Sequence, residues 1–358
     1  MKPKVSRHKI HVIWNKDKMK KILVALILLS PLLLLLPTRK QTLSKTNDIY
    51  KQDPNQPQTN CLVRVVTVSQ DGINEKPGKP RLDATITRLN RAAAFQPDIV
   101  CLPETLTRGV PEFVPGNTTN RLSKWAREHS CYVICPILIY SDRQIFNSAI
   151  LIDRQGKIVG RYDKIHPTEG ELERSICPGK IDPPVFQTDF GKIGFQICFD
   201  VNWHAQWKQL KQKGADIIFF PSAYPAARQL KTLAWLNQCF IVSSTLTRAS
   251  SIFDISGEII ETTGKYRHWA GAVLPVGKKL FEIDFHVSKM RKIEQKYGSK
   301  VSIKWYHDDD LVSLASLDPE LTVADLIDEF ELTPHPAYIL RAQNAQDKRR
   351  PVTTPTKQ

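Results

Sequence analysis

From Cys61 onward, short apolar runs rich in β-branched residues alternate with stretches whose apolar residues recur at helical spacing, and this alternation constrains the fold more than any other feature. Leu62–Ser69 is the first strand-like run, and Leu82, Ile86, Leu89 and Ala93 then recur at steps of three and four. Asp98–Pro103 is the next strand. Asn117 or Thr118 can cap a helix carrying Leu122, Trp125 and His129, and Cys131–Tyr140 reads as a buried strand. Two hairpins follow. Ser148–Asp153 and Ile158–Lys164 flank an Arg-Gln-Gly-Lys turn, whereas Val185–Phe190 and Ile193–Cys198 flank Gly191-Lys192, a Gly-first pair suited to a type II′ turn. Trp203, Trp207 and Leu210 then mark one helix face, with Gly214 as its stop, and Ala215–Phe220 is a strand. A helix over Ala226–Asn237, a strand over Phe240–Leu246, a hairpin around Ser256-Gly257 and a last strand at Lys279–Phe285 complete the pattern. Strands and helices in this order predict an α/β fold in which helices cover sheets and the sheets hold apolar faces against one another.

A net charge of +15 over 358 residues suggests nucleic acid until the charge is located. Residues 1–51 hold 12 Lys/Arg against two acids and 341–358 hold five against one, which leaves 52–340 with 34 against 33. A near-neutral globular part argues against a nucleic-acid partner. The basic segment 1–21 instead precedes an apolar one at 22–37, whose core Ile22–Leu36 is interrupted only by Ser30 and Pro31. At about 1.5 Å per residue this core spans about 22 Å, so it reads as a short transmembrane anchor or as the h-region of a signal peptide. No small-x-small cleavage site follows, which favours an uncleaved anchor. With eight Lys/Arg before the segment and four after it, the N-terminus is expected in the cytoplasm and the globular domain outside; secretion after cleavage is the alternative. Residues 38–60 form a polar linker, 61–285 the main domain, 286–340 a less regular C-terminal extension with one clear helix at Thr322–Phe330, and 341–358 a disordered basic tail.

Seven cysteines, at 61, 101, 131, 135, 177, 198 and 239, form no CxxC pair and have no partner cluster at metal-ligand spacing, so no metal site is predicted and most read as small core residues. His307-Asp308-Asp309-Asp310 reads as an acidic turn in solvent.

Three segments are chemically loaded. Asp98-Ile99-Val100-Cys101-Leu102-Pro103-Glu104 puts a carboxylate just past a buried strand. Tyr162-Asp163-Lys164-Ile165-His166-Pro167 ends a hairpin with a lysine. Gly194-Phe195-Gln196-Ile197-Cys198-Phe199-Asp200 ends a strand with a cysteine before a helix, where helix N–H groups would depress the thiol pKa. Each residue alone has an ordinary reading: Glu104 as a helix-start carboxylate, Lys164 as a surface cation, Cys198 as core. Together they would supply proton shuttle, positive charge and nucleophile for acyl transfer from an amide.

In those three ordered motifs the chain resembles the nitrilase superfamily of carbon–nitrogen hydrolases over about Cys61 to Phe285, and Phe219-Phe220-Pro221-Ser222-Ala223 looks like that family's strand and loop beside the nucleophile. The resemblance implies a four-layer α-β-β-α sandwich, Cys198 as nucleophile, Glu104 as general base, Lys164 with the Phe199 N–H as oxyanion stabiliser, and no cofactor. It also implies a second glutamate between Lys164 and Cys198, for which Glu173, followed by Arg174, fits better than Glu169 or Glu171. Phe199-Asp200 after the cysteine is closer to the amidase and carbamoyl-hydrolase branches than to the Trp-Glu of nitrile-hydrolysing members, which favours a small amide-type substrate. Val201-Asn202-Trp203-His204 departs from the amidase pattern, and Tyr224 is expected to line the pocket. An N-acyltransferase using the same three residues on a membrane-linked substrate, a nitrile hydrolase and a silent membrane-tethered binder are the alternatives; the resemblance also implies a homo-oligomer.

Overall fold

The computed structural model describes residues 61–351. A first sheet takes β1 (Cys61–Val68), β2 (Ile99–Cys101), β3 (Tyr132–Ser141), β4 (Gln144–Ile152) and β5 (Ile158–Asp163) in sequence order. A second takes β6 (Val185–Thr188), β7 (Gly191–Phe195), β8 (Ile217–Ser222), β9 (Phe240–Thr245), β10 (Ser251–Phe253) and β11 (Ile259–Thr262), again as neighbours in order. β12 (Trp269–Val276) returns to the first sheet, antiparallel to β1. β1, β2 and β3 run parallel to one another, as do β7, β8 and β9, and both sets are completed by antiparallel hairpins.

The period-two alternation of side chains sorts each strand between two cores. Val63 and Val65 of β1, Ala149 and Leu151 of β4, Ile217 and Phe219 of β8, and Phe240 and Val242 of β9 meet in one buried layer between the sheets. Val66, Val68, Ile150 and Ile152 point the other way, onto Leu82 and Leu89 of α1 (Lys79–Ala92) and Leu122 and Trp125 of α2 (Asn117–His129). A short α3 covers Glu169–Glu173. Ile218, Phe220 and Ile241 pack on Trp207 and Leu210 of α4 (His204–Gln212) and on Leu230 and Leu233 of α5 (Ala227–Asn237). The four layers are therefore helix, sheet, sheet, helix. Each fully buried aliphatic or Phe side chain contributes roughly 1.5–3 kcal/mol, so both faces of each sheet are held by packing.

The structure departs from the pattern-based expectations in several places. The second hairpin turns at Asp189-Phe190, not Gly191-Lys192, because Thr188 pairs with Gly191. That register puts Phe190 into the inter-sheet layer, edge-on to Tyr132 at 5.5 Å, while the Thr188 hydroxyl donates to Gly191 O (2.6 Å). β4 begins at Gln144, four residues early, after a two-residue turn at Asp142-Arg143 in which both residues have positive φ (50° and 63°) without the usual Asn-Gly signal. β12, which no turn or periodicity signal marks, alternates buried positions with half-buried ones, Val273 alone being exposed.

Beyond β12 the chain is more regular than expected. β13 (Lys279–Glu282) and β14 (Val301–Tyr306) flank β15 (Leu311–Ser316) in a third sheet, packed through Phe281, Val312 and Leu314 on α6 (Val287–Tyr297) and α7 (Val323–Glu329). α8 runs over His335–Asp347, across the boundary expected at 341. Among the described residues no helix is long and apolar enough to cross a membrane; the apolar segment 22–36 lies outside them.

His286 ties the chain before α8 to the third sheet. Its Nδ1–H donates to Glu282 O (2.7 Å) and its Nε2 accepts from Thr333 N–H (3.0 Å), a pair of bonds open only to the neutral ring. Burial holds its pKa below the ordinary histidine value; Glu282 O opposes this, and Lys289 and Arg341 reinforce it. The folded state thus takes up this proton at lower pH than the unfolded chain, and stability is lost as pH falls below about 6.5. Urea midpoints measured from neutral pH downward should fall, and His286→Gln, which keeps a donor and an acceptor, should flatten part of that slope.

Candidate active site

Three chain segments that leave strands converge. Leu102 still pairs with β3 through its N–H to Ile134 O (3.3 Å), and Pro103 then turns the chain so that Glu104 enters the interior, 5% exposed. Lys164 extends β5 by one rung, its N–H donating to Asn147 O (2.8 Å) while its carbonyl accepts from Gly179 N–H (2.8 Å). Gly179 is demanded there: a Cβ would lie 2.2 Å from Asp163 O. After β7, Cys198 opens a short 3₁₀ turn, Cys198–Asn202, at a φ of 47°. A left-handed backbone at a residue with a side chain costs roughly 1–2 kcal/mol, and strain of this kind concentrates at functional sites.

The Lys164 ammonium, 1% exposed, is held between two carboxylates. Nζ donates to Glu104 Oε1 (2.9 Å) and to Glu171 Oε2 (2.7 Å). Asn147, on β4, donates from Nδ2 to Glu104 Oε1 and to Glu171 Oε1, both at 2.8 Å. The second glutamate at Lys164 is thus Glu171, whereas Glu173 and Glu169 are exposed on α3. The reason is local. Thr168 caps α3, its N–H donating to Glu171 Oε2 (2.8 Å) and its hydroxyl accepting from Glu171 N–H (3.3 Å), so position three of the helix turns inward. The Thr168-x-x-Glu171 spacing is a capping-box signal and could have found this residue. Asn147 carried no comparable signal.

Cys198 is 7% exposed and interacts electrostatically with both Glu104 and Lys164, with Ser222 and the Ala223 backbone as hydrogen-bond partners. Burial, then the Glu104 charge, push its thiol up to about 12 against the smaller opposing pull of Lys164. The depressed thiol expected at a helix N-terminus is therefore not found, because the residue sits on a 3₁₀ turn and α4 starts only at His204. Burial also works against the Lys164 cation, but Glu104, Cys198 and Glu171 outweigh it and hold its pKa above the ordinary lysine value. Burial raises and Lys164 more than offsets the Glu171 pKa, which lies below that of a free glutamate.

Phe199 is half-buried, its ring edge-on to Trp203 at 5.2 Å. Tyr224 is half-buried against the inter-sheet layer; burial, then the Cys198 and Glu104 charges, raise its phenol. Asp200, within the Cys198–Asn202 turn, is fully buried.

A cysteine, two carboxylates and an ammonium closed off from water, gathered from two facing sheets and their connections, make an arrangement chemically able to carry acyl transfer. The family model described as Carbon-nitrogen hydrolase matches residues 23–269, and the chain belongs to that family. It is 31% identical over 156 residues to a beta-ureidopropionase of Arabidopsis thaliana, covering 40% of this chain and 38% of that protein. It is 29% identical over 185 residues to a deaminated glutathione amidase of Rattus norvegicus, 44% of this chain and 56% of that one. The matches thus span less than two thirds of these relatives' length. Among solved structures the fold is similar to Saccharomyces cerevisiae Nit3, a member of branch 10 of the nitrilase superfamily (TM-score 0.56, 19% identity, 66% of this chain and 96% of that one). It is also similar to an amidase from Nesterenkonia sp. (TM-score 0.53, 17% identity, 68% and 98%). The fold is of the nitrilase α/β type.

Because only thiolate alkylates, the rate of Cys198 modification by iodoacetamide should climb about tenfold per pH unit from roughly pH 7 to about pH 10. A plateau near neutrality would show a thiolate already formed and contradict the burial argument.

Proposed function

We propose that the protein hydrolyses a non-peptide carbon–nitrogen bond of an amide or carbamoyl amide through a Cys198 thioester. The observation that carries this reading is the buried Glu104–Lys164–Glu171 bridge next to a buried thiol. With the thiol protonated at rest, Glu104 takes the Sγ proton as sulfur attacks the carbonyl carbon. Lys164 and the Phe199 N–H stabilise the oxyanion. The intermediate collapses to the thioester as Glu104 returns the proton to the departing nitrogen. Glu104 then deprotonates a water, which attacks the thioester, and as the second tetrahedral intermediate collapses Glu104 returns that proton to the departing sulfur, leaving the acid product and the free thiol. Glu171 keeps Lys164 charged and in place, and Tyr224 and Phe199 border the substrate. The names of the relatives, beta-ureidopropionase and amidase, support an amide or carbamoyl substrate over a nitrile. We further read the apolar segment 22–36 as an anchor that holds the protein at a membrane with its catalytic domain outside the cytoplasm.

A panel of amides, carbamoyl amines and nitriles, followed by ammonia release, tests this. Wild type should release ammonia from an amide or carbamoyl amine and Cys198→Ala none. Glu171→Gln should lower kcat by about 10²-fold, the order of loss that a small misplacement of a catalytic group produces. Turnover surviving in Cys198→Ala would remove the thioester mechanism.

A further inference from the structure

The Lys164 and Cys198 segments belong to different sheets, and one carboxylate joins them. Asp200 is fully buried, and each of its oxygens accepts two hydrogen bonds. Oδ1 takes the His166 N–H (2.8 Å) and the His166 ring through Nδ1 (3.0 Å). Oδ2 takes the Tyr162 hydroxyl (2.7 Å) and the Ile197 N–H (2.9 Å). A carboxylate that accepts at every contact requires the hydrogen of the His166 ring on Nδ1. Tyr162 and His166 lie two residues to either side of Lys164, and Ile197 immediately precedes Cys198. The surroundings stiffen the arrangement: the His166 ring lies flat on Trp203 (3.8 Å between centroids, 2° between planes), Gln196 Nε2 donates to the Tyr162 hydroxyl (3.2 Å), and Trp207 Nε1 donates to Asp200 O (3.3 Å).

Capping the cysteine turn needs only the bond to Ile197. The other three reach across to the strand end that carries Lys164, which a cap does not require. We propose that Asp200 and His166 form a positioning pair that fixes the Cys198 turn against the Lys164–Glu104 bridge without touching the reacting atoms. This rests on the reading of Glu104, Lys164 and Cys198 as the catalytic groups. Charge-assisted bonds suit the task because they are shorter and about twice as strong as neutral ones, and here they converge on one side chain. His166, with a side chain 13% exposed, is the member that can be changed with least damage to the core.

The test uses the full chain and three variants, Asp200→Asn, His166→Ala and His166→Asn. An asparagine at 200 offers one oxygen and one NH₂, so it meets two of the four donors with a donor of its own. An asparagine at 166 still presents an N–H toward Oδ1. With the best amide of the panel, Asp200→Asn and His166→Ala should lower kcat by roughly 10- to 100-fold with KM changed by less than about threefold, and His166→Asn should recover most of the loss. The pH profile of Cys198 alkylation should move toward that of an ordinary thiol in the first two variants and stay near wild type in the third. Unchanged kcat and alkylation profiles, a loss confined to melting temperature, or His166→Asn falling as far as His166→Ala would overturn the proposal. Should Asp200→Asn not fold, the two His166 variants decide. Should wild type turn over no amide, the hydrolase reading fails, and the alkylation profiles alone decide the positioning pair.

Discussion

The Lys164 ammonium, removed from water between Glu104 and Glu171, is the interaction on which the rest of the site depends. An isolated buried charge costs several kcal/mol, and removing one partner of such a pair typically costs about 3–5 kcal/mol. The surroundings of Lys164 therefore have to be fixed on every side. β4 supplies Asn147 to both carboxylates, α3 delivers Glu171 through its own cap, and Gly179 lets the following chain close over the lysine backbone. Strands β2, β4 and β5 and a five-residue helix are thus arranged around one cation. Its neighbours keep it charged despite burial, and a permanent charge is what the oxyanion role proposed for it needs.

The same carboxylate that holds the lysine also shapes the nucleophile. Glu104 repels a thiolate at Cys198, and burial repels it more, so the resting sulfur keeps its proton. A thiolate stabilised enough to exist at neutral pH would be a weaker nucleophile, since nucleophilicity falls with pKa. In the proposed mechanism the proton leaves only as sulfur bonds to carbon, and the negative charge passes to the substrate oxygen, near Lys164, instead of resting on sulfur. A buried acid–base pair beside a neutral thiol thus confines reactivity to the moment when a carbonyl is present. Cys101, Cys131, Cys135 and Cys239 are buried too, and burial pushes each of their thiols up, but none of them shares Cys198's coupling to Lys164.

Three of the strands around the site were legible in the sequence because they are buried on both faces and carry no charge: residues 99–101, 193–195 and 217–220 each follow or precede a clear turn or helix signal, whereas β5, mostly half-buried, is marked by the turn before it. What the sequence hid depends on contacts far apart in the chain. Asp142-Arg143 makes a tight turn without glycine, and the Asp189-Phe190 turn is set by where Phe190 must be buried. The third sheet escaped because β15 is buried at all six positions yet contains two serines and an alanine, while β14 buries only Val301 and Tyr306. At the site, Glu104, Lys164 and Cys198 stood out through their motif words. Glu173 draws attention through its Arg174 neighbour, yet the cap at Thr168 turns Glu171 inward instead; Asn147 is an ordinary strand residue until Glu104 and Glu171 close on it, and Asp200 an ordinary turn residue until the second sheet meets the first.

Glu104, Asn147, Lys164 and Glu171 all come from the first sheet and its connections, whereas Cys198, Asp200, Ser222 and Tyr224 come from the second. Neither half holds a complete set. The apolar layer between the sheets, with Phe195, Phe219 and Tyr162 among its largest members, brings the halves together, but apolar packing is non-directional and fixes distance better than register. Register needs directional bonds across the same gap. Thr67 Oγ1 to Ser243 O (2.5 Å) and Ser244 Oγ to Val68 O (2.6 Å) supply them between β1 and β9, and Tyr162 to Asp200 supplies one beside the nucleophile. A buried hydroxyl or carboxylate in this layer costs desolvation that a methyl would not. Its place in an otherwise apolar interface follows from what the site requires, two sheets held to within the tolerance of a proton transfer.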